Sequence, residues 1–166
     1  MNRSVLLLAL AFSGCLFTAD EMDPRKAALR TADSPEAFFE LFGQAYETRS
    51  ASSLDRLLAD DYQFEPDPSS LSAGSTDGWG KEVELDRHRR MFQAISDVSV
   101  EVVRDGRPRA EAAPAETTWT LPRLRMTMAI AGDPVEVLGQ AEFRLRTVRD
   151  AAGIPTYQLV RWTDRN

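Results

Sequence analysis

The sequence predicts an α+β domain in which helices pack on one face of a strongly curved antiparallel sheet, a cone-shaped half barrel. Three observations predict it. Helical periodicity is confined to the first half, where Phe38, Leu41, Phe42, Ala45 and Tyr46 recur at i, i+3, i+4, i+7 and i+8. The second half alternates over long runs, as in Val135, Val137, Gly139, Ala141, Phe143 and Leu145. Between Leu121 and Leu124 the alternation changes parity at Pro122-Arg123, which requires one extra residue in the strand, a β-bulge, and therefore a bend. Helices followed by long strands give α+β rather than a parallel α/β order.

The elements follow in chain order. Arg3 and the apolar run Val5 to Phe12 form a short n-region and h-region. The run is too short for a span of ~20 residues, so it reads as a secretory signal. Phe12-Ser13-Gly14-Cys15 resembles a bacterial lipobox, which implies a signal peptide over 1–14 and lipidation of Cys15; the other reading is an incidental cysteine in a plain signal. Leu16, where an Asp would mark inner-membrane retention, points to the outer membrane. Residues 15–33 read as the acylated cysteine and a tether, and 34–166 as a single domain.

Ser34 suits an N-cap and Pro35 the first position of the opening helix. A second helix is expected at about 52 to 60, capped by Ser52 or Ser53, then a brief strand at Tyr62 and Phe64. Residues 65–78 carry turn formers without periodicity and read as a loop. Lys81 to Ile95 reads as a third helix, with Leu85, His88, Met91, Phe92 and Ile95 on one face. Val98, Val100 and Val102 alternate, 105–116 reads as a hairpin loop, and the strand containing Trp119, Met126 and Met128 follows. Gly132-Asp133-Pro134 makes a turn, and Tyr157 to Asp164 is the last strand.

The chain has 166 residues, with 43% hydrophobic and 28% charged residues, enough for one globular domain and against a disordered chain. A net charge of −6 is a poor basis for binding nucleic acid. A lone cysteine excludes an internal disulfide, and a lone histidine excludes a His-rich metal site. Nothing implies a cofactor: there is no Gly-rich phosphate loop, Ser-His-Asp set or metal signature.

FFELFGQAYETRSASSLDRLLADDYQFEP, Trp79, the helix ending RRMF, the strand DVSVEVV and the closing GQAEFRLRTVRD…YQLVRWTDR together resemble the nuclear-transport-factor-2-like superfamily, the cystatin-like cone. The resemblance implies a cone with a central pocket, shared by isomerases, dehydratases, cyclases, hydrolases and binding or dimerisation modules. No catalytic set of that family matches residue by residue, so none is carried over.

His88 should look inward, either as an acid–base group or as a histidine bonded to a backbone carbonyl. Tyr62, Trp79, Met91, Phe92, Trp119, Met126, Met128, Phe143 and Trp162 could line a pocket or fill a core. On the last strand Tyr157, Leu159 and Arg161 share one face and Val160 and Trp162 the other; burial of Trp162 puts Arg161 in solvent. Asp60, Asp61 and Glu65 form an acidic cluster beside the loop, either a solvated helix end or an acid–base or cation site. Arg144 and Arg146 belong to the outer sheet face, as solvent-facing or dimer surface. The reading chosen is a membrane-anchored domain binding a small apolar or amphipathic ligand. The alternatives are an interaction or homodimerisation module with a filled cone, and a lyase or isomerase using His88.

Overall fold

The structure is a computed structural model, and it describes residues 31–67, 78–104, 108–110, 115–130, 132–149 and 153–165. The expected signal peptide, Cys15, most of the expected tether and most of the 65–78 loop lie outside the described residues. Within them stand three helices, α1 (Pro35–Glu47), α2 (Ala51–Leu57) and α3 (Lys81–Ala94). The strands are β1 (Leu58–Glu65), β2 (Trp79–Gly80), β3 (Ile95–Val103), β4 (Arg109–Ala110), β5 (Glu116–Ile130), β6 (Asp133–Arg149) and β7 (Pro155–Arg165).

The strands form one sheet in the order β2-β1-β7-β6-β5-β3, with β4 on the same edge of β5 as β3. Every pairing is antiparallel except β1 with β7. Those two strands are far apart in sequence, so no hairpin fixes their relative direction. Ala32, just before α1, is already packed: its carbonyl accepts from Tyr157 N at 2.7 Å.

Ser34 caps α1, its hydroxyl accepting from Ala37 N at 3.1 Å, with Pro35 in the first turn. The buried stripe of α1 is Phe38, Phe39, Phe42, Ala45 and Tyr46, wider than expected by Phe39, while Leu41 sits at its margin. The expected cap of the second helix is corrected: Ser50, not Ser52 or Ser53, is extended and accepts from Ser53 N at 3.1 Å. That helix also ends earlier, at Leu57. Leu58 is extended with ψ 131°, and its carbonyl is held by Lys81 Nζ at 3.0 Å. β1 is accordingly longer than the Tyr62–Phe64 strand expected. The 105–116 stretch contains a short strand, β4, against Thr117 and Thr118.

The β-bulge stands where the parity slip places it: β5 takes three steps from Leu121 to Leu124 while β6 takes two from Ala141 to Gly139. A second irregularity, in β7, has no sequence marker. Leu159 pairs with Leu145 and Arg161 with Arg144, leaving Val160 over. The expected faces of the last strand are therefore corrected. Leu159 and Trp162 both turn to the inner face, and Arg161 turns outward to Glu65 at 3.2 Å.

Candidate functional site

The inner face of the sheet is a series of cross-strand rows. One row is Phe64, Trp162, Phe143 and Trp119, whose rings meet Phe39 and Phe42 of α1. Phe143 is fully buried, 4.9 Å from the Trp162 ring. Phe64 stacks on Trp79 at 4.2 Å, and the Arg87 guanidinium lies 3.7 Å over Trp79. This aromatic wall seals one end of the cone.

At the opposite end Met128 and Val98, paired across β5 and β3, are buried, while Val135 beside Met128 is half-buried. Between the two ends the face stays half-open. The next inner row holds Asp164, Ala141 and Leu121; then come Gly139, Leu124 and Val102, and then Val137, Met126 and Val100. Ala141 and Leu121 are covered, whereas Leu124, Met126, Val135 and Asp164 are half-buried and Val137 is 51% exposed. Two polar groups of the adjoining wall, the indole N–H groups of Trp119 and Trp162, are buried and make no hydrogen bond to a described atom. Each such donor costs about 1–3 kcal/mol when left unsatisfied.

The Asp164 carboxyl is held above the usual carboxylate range. Burial is the main cause and the neighbouring Asp67 adds to it, against a lowering contribution from the Arg165 backbone N–H. Tyr46, Glu84, Gly139 and Leu124 are the positions that reading by residue type missed. Only the parity of Gly139 and Leu124 with their strands could have placed those two.

The acid–base groups lie elsewhere, between α1 and α3. His88 is buried as expected, and both ring nitrogens are occupied. Tyr46 Oη stands 2.6 Å from Nε2, and Nδ1 is 2.9 Å from the Glu84 carbonyl and 3.4 Å from its carboxylate. The Glu84 carboxylate, 4% exposed, also accepts from Trp79 Nε1. Burial, and then Glu84, raise the Tyr46 hydroxyl well above its ordinary pKa. It stays protonated and is assigned as donor to Nε2, so Nδ1–H donates to Glu84. Tyr62 is likewise raised by burial, and its buried hydroxyl has no described partner. The set is geometrically an acid–base relay, yet Tyr46 is fully buried and every member except Tyr62 is engaged by another.

Of the other residues expected at a pocket, Met126 and Trp162 border the half-open face, and Trp119 and Phe143 stand in the wall beside it. Met128 is buried at the far end, and Phe92 and Met91 belong to α3, packed against or within the core. Asp60, Asp61 and Glu65 do not form one cluster. Asp60 meets Lys81 at 3.4 Å, Asp61 takes a bidentate bond from Arg146 at 2.9 Å, and Glu65 meets Arg161. The Asp61 carboxyl is accordingly lowered, first by its hydrogen bonds from Arg146. Arg146 also binds the buried Glu116 at 2.8 Å on the outer face.

A separate cleft of about 530 Å³ lies among α2, β1, β2 and α3, but its Lys81 is already held by Asp55 and Asp60. Among the described residues no group of three or more His, Cys, Asp or Glu is placed to hold a metal ion, and no helix is long and apolar enough to cross a membrane.

No family model matches the sequence, and no curated protein matches it. Solved structures do match. A conserved protein from Planctomyces limnophilus aligns with TM-score 0.60 and 18% identity over 77% of this chain and 89% of its own. An NTF2-like protein of unknown function in nutrient uptake from Rhodospirillum rubrum aligns with TM-score 0.58 and 17% identity over 79% and 96%. A nuclear transport factor 2-like superfamily protein from Salmonella enterica aligns with TM-score 0.57 and 8% identity over 78% and 85%. At such identities the likeness is one of fold, and the fold of this chain is the NTF2-like, cystatin-like α+β cone.

Proposed function

We propose that this protein is a lipid-anchored binding domain of the bacterial cell envelope that takes a small amphipathic molecule on the inner face of its sheet. One observation carries the binding reading. The inner face is covered at its aromatic end but left half-open at Leu124, Met126, Val135 and Val137. Apolar surface in a partly covered setting suits the apolar body of a small molecule. Catalysis by His88 is the weaker reading, because Tyr46 and Glu84 already occupy its nitrogens. The outer face carries Glu142, Arg144 and Arg146 on β6, and its exposed apolar residues Leu138 and Val103 are interspersed with Arg125 and Arg123 rather than joined in one patch. The anchor rests on Phe12-Ser13-Gly14-Cys15 and the short apolar run before it.

Native mass spectrometry of the protein, purified gently from a bacterial extract, tests the binding. The expected result is a monomer carrying a discrete small-molecule adduct that Met126→Asp abolishes. A clean apo dimer would overturn the reading in favour of an interaction module.

A further inference from the structure

We infer that the molecule bound on the inner face is an amphipathic cation, an amine or quaternary ammonium, whose head group rests against Asp164 and whose apolar chain runs along Gly139, Leu124 and Met126. The inference rests on the binding reading above and adds the charge of the ligand. Asp164 is placed on the inner face by two independent facts. It pairs opposite the buried Ala141, and its Oδ1 lies 3.9 Å from where a Cβ on Gly139 would stand. That Cβ would meet nothing else within 4 Å, so Gly139 leaves the floor beside the carboxylate open.

The cations of β7 are directed away. Arg165 binds Glu142 at 3.0 Å, and Arg161 binds Glu65 at 3.2 Å. Among the described residues none is placed in an ion pair with Asp164. A second carboxylate, Asp67, acts on it as a like charge. The Arg165 backbone N–H offsets part of the cost of a half-buried carboxylate beside a like charge, and a cationic head group is the chemistry that offsets the rest. Trp162, two residues earlier, lies on the same face and is half-buried against the core. The lining beyond Gly139 is wholly apolar, which fits a hydrocarbon chain and no second charge.

The test uses the intact chain in nanodiscs of an uncharged glycolipid, which brings no ammonium group of its own, with three eight-carbon probes: octyltrimethylammonium, octanol and octanesulfonate. Binding is read by tryptophan fluorescence below the micellar range. The expected result is that the ammonium binds roughly tenfold tighter than the alcohol, the order of one charge-assisted contact. Asp164→Asn should bring the two within about twofold. Glu101→Gln, a carboxylate on the other face of β3, should preserve the preference, and circular dichroism checks that both variants are folded. Equal binding of alcohol and ammonium, or a preference that survives Asp164→Asn, overturns the cation assignment and leaves the binding reading standing. Tightest binding of the sulfonate also overturns the assignment. Saturable binding of none of the three overturns the binding reading itself.

Discussion

Replacing His88 by alanine removes the acceptor of the Tyr46 hydroxyl and opens a void between α1 and α3. Tyr46 is fully buried, so water cannot replace the lost partner. The expected loss is about 2–4 kcal/mol in urea denaturation, and Tyr46→Phe should lose about 1–2 kcal/mol. A His88→Ala variant with unchanged stability would return His88 to the list of working groups. Asp164 predicts the opposite sign. Its folded pKa is raised, so its contribution to stability is full below the unfolded pKa and is lost as pH rises through the folded one. At pH 7 the ionised group therefore weighs against the fold, and Asp164→Asn should raise the Tm. The gain should vanish as the pH falls below the ordinary carboxylate range. A gain that persists in acid would place the effect in packing instead. Residues held at a stability cost are characteristic of binding sites.

At the level of the element, curvature comes from strands that gain a residue. Pro122 announces the β5 bulge because proline cannot donate to the ladder and the apolar parity changes beside it. The β7 irregularity at Val160 has neither mark. Valine is an ordinary strand residue, and an alternating reading of Tyr157 to Asp164 necessarily puts Leu159 and Trp162 on opposite faces. Helix ends show the same limit. Three serines lie at 50, 52 and 53, and only the observed backbone selects Ser50. Deleting Pro122 leaves Leu121 and Leu124 two apart, so each inward side chain keeps its face and only the bend is lost. Such a variant should fold, with a Tm lowered by roughly 5–10 °C. Deleting Thr127 instead turns Met128 and Ile130 to the wrong face, and thermal unfolding should show no cooperative transition. Equal damage from both deletions would mean that the bulge does more than bend the sheet.

Across the whole molecule, the order of helices and strands was legible because each carries its own period, whereas the half-open face is set by how far the helices cover rows contributed by four strands. No single segment encodes that coverage. Glu84 was equally hidden, since a glutamate on a helix reads as solvated until Trp79 and His88 are seen to hold it. The proposed anchor is the reverse case: its signal lies wholly in local sequence, and its consequence is one of scale. If Cys15 is acylated, residues 16–30 reach at most ~50 Å when fully extended, so the domain stays close to a bilayer where amphipathic molecules concentrate. Two or more acyl chains are needed for that tether to hold, because a single chain binds only marginally. The chain should therefore incorporate an alkyne palmitate analogue in bacteria and fractionate with the outer membrane. Cys15→Ser should lose the label and leave the fold unchanged, because the core of the domain is built from residues at or beyond Ala32. Label retained by Cys15→Ser would remove the acylated cysteine from the account, while the cone and its half-open face would stand.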